Sequence, residues 1–129
     1  MSFNVWVGFV GNGDIVKMPR ARIEKAFAGL MERREEGEWN LIDSIANVSF
    51  GEEPEIGGFG VGAPPGLDHP FWPALLRLMQ EIPSVFFWPG GGCVVADKSA
   101  AKLMPPDMLE DLGEPFLATK PEDFFAHIK

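Results

Sequence analysis

The chain has 129 residues, 46% of them hydrophobic and 23% charged, with 19 acidic against 11 basic side chains and a formal net charge of −8. The length fits a single domain over 1–129, the apolar content is too high for a disordered chain, and no apolar run approaches the ~20 residues of a membrane span. The acidic balance argues against nucleic acid, whose recognition needs cations to displace phosphate counterions, and against anionic membrane surfaces. It favours a basic protein partner.

Phe3 to Val10 reads as a strand. Phe3, Val5, Val7 and Phe9 share one face, Trp6 and Val10 the other, and two partly apolar faces predict a central position in a sheet. Gly11-Asn12-Gly13-Asp14 is turn chemistry that tolerates positive φ, so residues 15–18 return as a second strand. Pro19 suits a first helical turn. Ile23, Ala26, Phe27, Leu30 and Met31 then form a stripe at helical period, with Gly37 expected to stop that helix near residue 36. Trp39, Leu41 and Ile42 are expected to pack back on the core. Ala46, Val48 and Phe50 alternate as the inward face of a strand, residues 51–55 form a charged turn, and the glycine-weakened segment 56–62 is expected to pair with that strand.

A second helix is predicted from about Pro70, carrying Phe71, Leu75, Leu78, Met79 and Ile82 on one stripe and closed by Pro83. Residues 85–88 and 93–96 flank Pro89-Gly90-Gly91-Gly92 and read as a hairpin. Residues 99–104 form a short helix, and Pro106 opens another that Gly113 caps. Phe116 to Ala118 is a last strand. Thr119 and Glu122 suggest a capping box for a final helix bearing Phe124, Phe125 and Ile128. The order ββαββαββααβα predicts an α+β fold, with a mostly antiparallel sheet built from hairpins and helices packed on one face.

Little in the chain spells out chemistry. Cys93 is the only cysteine, so no intramolecular disulfide can form, which suits a reducing compartment. The amino terminus shows no basic n-region or small-residue cleavage site, and a cytoplasmic location is expected. The glycines at 90–92 precede a strand rather than a helix, and Lys98-Ser99 follows only after that strand, so a phosphate cradle is not expected. Two widely separated histidines, His69 and His127, and one cysteine give no local metal chelate. No cofactor is implied. The G-x-S-x-G, H-E-x-x-H and kinase signatures are absent from the sequence.

The aromatic residues say more than the polar ones. Four Trp and eleven Phe stand without a Tyr. Trp39, Trp72 and Trp88 fall at element ends, and together with Glu52, Glu53 and Glu55 they make the candidate partner surface, since exposed Trp beside acids is the composition of an interaction hot spot. The expectation is a small acidic cytoplasmic protein-interaction module; by analogy of composition, its specific form would be an immunity-type inhibitor of a basic partner protein. The alternative is a small-molecule-binding protein or small enzyme using a cleft near Cys93 and His69, with Asp97 as a further candidate and Arg20 or Arg22 as an anion clamp. It requires Cys93 and His69 within hydrogen-bond reach. Self-association through a strand edge or aromatic patch is a third possibility.

Overall fold

Both faces of β1 (Asn4–Gly11) carry apolar side chains, and the strand lies in the interior of the sheet. The computed structural model describes residues 4–88, 90 and 92–126; Phe3, Pro89, Gly91, His127 and Ile128 lie outside them. β1 pairs antiparallel with β8 (Gly58–Gly62) on one side and β9 (Ser84–Phe87) on the other. Among the described residues the main sheet runs β11 (Phe116–Leu117), β10 (Cys93–Val95), β9, β1, β8, β6 (Asn47–Ser49), β5 (Glu38–Leu41), β4 (Met31–Glu35). β2 (Asp14–Ile15) folds back on β1 through Asn12 and Gly13, both at positive φ. β3 (Met18–Pro19) and β7 (Glu55–Ile56) form a separate ladder. Pairing is antiparallel throughout, except between β10 and β11.

Period-two alternation divides β1 between two cores. Val5, Val7 and Phe9 face the larger one, beneath α1 (Arg20–Ala26) and α2 (Phe71–Glu81). Trp72 is its hub. Its ring meets Phe71, Phe86, Phe124 and Phe125 at centroid distances of 4.6–6.0 Å, and its indole N–H donates to the Pro65 and Gly66 carbonyls. On the opposite face Val10, Val85, Cys93 and Val95 pack beneath α3 (Lys98–Lys102) and α4 (Pro106–Leu112) in a smaller cluster. The fold is α+β with a mostly antiparallel sheet; the main helical layer covers one face, and α3 and α4 add a short cover to one end of the other.

The first helix is shorter than its apolar stripe predicts. α1 ends at Ala26, Gly29 adopts a φ of 83°, and residues 31–35 form a strand paired with β5 across Gly37. Met31 opposite Leu41 buries both, which a helix continuing to residue 36 could not do. At the other end the capping partner is Asp123, whose carboxylate accepts from the backbone N–H groups of Thr119 and Lys120. Asp123 takes the place expected of Glu122, and the element it caps is a single 3-10 turn (Pro121–Phe124).

Candidate functional site

Directly paired residues on antiparallel strands share a face. One such row crosses the sheet from Glu38 through Ser49, Gly60 and Trp6 to Phe87. Gly58, Gly60 and Gly62 alternate along β8 with the buried Phe59 and Val61, so this face of β8 carries no side chains. A Cβ at Gly60 would stand 3.2 Å from the Trp6 indole, which therefore leans across the space the glycine leaves. At Gly58 a Cβ would collide with the Val7 carbonyl at 2.2 Å. The result is a shallow trough with a glycine floor.

The trough has a volume of about 550 Å³ and is walled by Trp6, Phe87, Ile15 and Met108 on one side and by Ser49 and Phe50 on the other. A recess of about 150 Å³ between Asn4, Asn47 and Gly62 shares Trp6, Ser49 and Gly60 with it. A further recess of about 350 Å³ shares Ile15, Phe87 and Met108 and reaches Asp107 and Asp111 on α4. Trp6 is 38% exposed and Ile15 42%, while the Trp6 and Phe87 rings lie 6.0 Å apart with nearly parallel planes. The charged residues among these linings are Asp107 and Asp111; neither Lys nor Arg contributes. Gly51 and Gly57 of the lining bracket a loop carrying Glu52, Glu53 and Glu55, all exposed. Carboxylates thus flank an uncovered apolar surface.

Arg20 ties that loop in place. Its guanidinium donates to the Gly51 carbonyl at 2.9 Å, pairs with Glu24 at 3.5 Å and bonds Glu36, which Arg33 also holds. Those contacts, the Arg20 bond foremost, keep the Glu36 carboxyl below the usual range. Arg20 is therefore a strut and not an anion clamp, and Arg22 is simply exposed.

The three tryptophans read from the sequence as a partner surface do not form one. Trp72 is 0% and Trp88 5% exposed, because aromatic neighbours from α2, β9 and the C-terminal turn close over them. Trp39 is half-buried against the larger core, its indole N–H donating to Glu24 at 2.6 Å. Of that set, Glu52, Glu53 and Glu55 remain available at the surface.

The cleft expected near Cys93 and His69 does not assemble either. Cys93 is fully buried among Val10, Val85, Val95, Ala100 and Met104, and desolvation pushes its thiol up to about 11. Such a sulfur is a poor nucleophile. The His69 ring serves α2: Nδ1 accepts from the Phe71 N–H at 3.0 Å and Nε2 lies 2.7 Å from the Ile42 carbonyl, which fixes it as the donor. Asp97 caps α3, accepting from Ser99 N–H at 2.9 Å, and that bond lowers its carboxyl. Among the described residues no group of three or more His, Cys, Asp or Glu is placed to hold a metal.

From the sequence Trp6 reads as a core aromatic and Glu38 as one of a run of acids; the structure instead leaves Trp6 38% exposed on the trough, and Ile15 and Met108 carry no sequence signal of a site. One signal for the site was present: glycines at every second position of 58–62 put a bare stripe on a single face of a strand. Comparison with protein-family models, with curated proteins and with solved structures found no match.

Proposed function

We propose that the protein is a small protein-interaction module that docks a basic partner across the Trp6 trough, in the manner of an immunity-type inhibitor of a basic enzyme. One observation carries this reading: an uncovered apolar trough framed by carboxylates, with no cation in its lining, on a chain of net charge −8. Apolar anchors supply affinity at the centre of such a surface, while the acidic rim steers a cationic partner and rejects anionic ones.

Chemical-shift mapping with matched peptide sets, one cationic with an apolar anchor and one anionic with the same anchor, tests the proposal. The cationic set is expected to perturb Trp6, Gly60 and Ile15, with affinity falling steeply between roughly 0.05 and 0.5 M salt as screening grows. Ile15→Lys, at an exposed site, should abolish the response while leaving the fold intact. Equal binding of both sets, or binding that leaves the trough untouched, refutes it. No helix among the described residues is long and apolar enough to cross a membrane.

A further inference from the structure

Between its two long ends, Glu38 and Trp6, the row Glu38–Ser49–Gly60–Trp6 carries one short side chain, that of Ser49. Adjacent strands lie about 4.8 Å apart, so the outer two Cα atoms are separated by three such steps, and their side chains lean inward from both ends. Trp6 lies over Gly60, and Glu38 Oε1 accepts the Ser49 hydroxyl at 2.6 Å. The second Glu38 oxygen and the Trp6 indole N–H have no hydrogen-bond partner among the described residues. A flat indole and a half-buried, already oriented carboxylate therefore stand at the two ends of a row whose only intervening side chain is that of Ser49.

We infer that the slot between these two ends receives an arginine side chain of the partner, its guanidinium stacked on Trp6 and hydrogen-bonded to Glu38. The inference rests on the docking reading and names the anchor it requires. A planar delocalised cation stacks on an aromatic face, is less strongly hydrated than an ammonium and offers paired donors to a carboxylate. The glycine floor lets its methylene stem lie flat on the sheet. Ser49 pre-orients the acceptor, so little ordering is left for binding to supply.

The test uses the full chain labelled with nitrogen-15 and three blocked peptides identical but for one residue: arginine, lysine or citrulline. The arginine peptide is expected to shift the Trp6 indole N–H and the Gly60 and Ser49 amides. The citrulline peptide, equal in shape but neutral, should bind about tenfold more weakly, a loss on the scale of one charge-assisted contact. Glu38→Gln, which can still accept from Ser49, should erase the difference between arginine and citrulline, and Trp6→Leu should erase binding at these amides. Equal affinity of the lysine or citrulline peptide overturns the assignment. So does a neutral oligosaccharide that shifts the same signals while the peptides are silent. If cationic peptides shift the trough signals of Ile15 and Gly60 with no preference for arginine, the slot falls and docking across the trough stands; if no cationic peptide binds the trough, both fall.

Discussion

Cys93 shows how completely environment decides what a side chain can do. In the sequence it is a lone thiol with two histidines elsewhere in the chain; in the fold it is a small apolar filler beneath α3 and α4, its Sγ 3.7 Å from the Gly113 carbonyl. Its pKa is raised from 9.0 to about 11 by burial, so the folded state favours the neutral thiol. The stability this represents is fully present below 9.0 and is lost as pH rises toward the folded value of about 11. Native protein is expected to be inert to an aromatic disulfide reagent at about pH 8 and to react at once in denaturant. Rapid labelling of the folded chain, faster than its unfolding, would contradict this. Cys93 heads an apolar strand, so its burial was legible in the sequence. The role of His69 was not, because its two partners, Ile42 and Phe71, include one from a distant loop.

Elements whose pattern could be satisfied in only one way were readable from residues alone. The 71–82 stripe became α2, the double-faced apolar run became an interior strand, and Ala46, Val48 and Phe50 turned inward as their alternation requires. The segment 31–36 was not readable. Its charges Glu32, Arg33, Arg34 and Glu35 are exposed in the strand and Glu36 in the turn after it; all would suit a helix surface equally well, so pairing with β5 decided the outcome. Gly37 changes meaning accordingly, from helix stop to hairpin turn at a φ of 76°. A Cβ there would meet the Gly51 carbonyl at 2.1 Å, against the loop that borders the trough. Gly37→Ala should therefore lower the thermal midpoint and, as the 51–55 loop is displaced, weaken cationic-peptide binding in parallel. A variant with unchanged melting and unchanged amide shifts at Gly51 would show that the contact is slack.

At the scale of the whole chain, charge and fold stability meet in the acidic range. Glu36 is held low chiefly by Arg20, Asp97 by the Ser99 N–H and Asp123 by the Thr119 N–H. A carboxyl depressed in the folded state contributes stability above its unfolded value, here 4.5 for Glu36 and 3.8 for the two aspartates, and loses it as pH falls through the folded value. The urea midpoint is expected to hold from neutrality to about pH 5 and then to decline. Arg20→Met should flatten the part of that decline that belongs to Glu36, and an identical pH profile in the variant would remove Arg20 from the account. In the proposed reading the same net charge of −8 steers a cationic partner toward the trough's acidic rim.

Class of fold, the interior strand, the second helix and the acidic character all follow from local periodicity and from counting charges, because each depends on residues close together in the chain. The identity of the exposed tryptophan does not. Trp6 lies on an apolar strand and Trp72 begins a helix, yet the first is open and the second sealed. The difference comes from what packs above each ring: four aromatic neighbours gather over Trp72, whereas α3 and α4 cover one end of Trp6's face and leave β8 bare. Covering a surface is a long-range event, and it is settled only when strands distant in sequence come side by side.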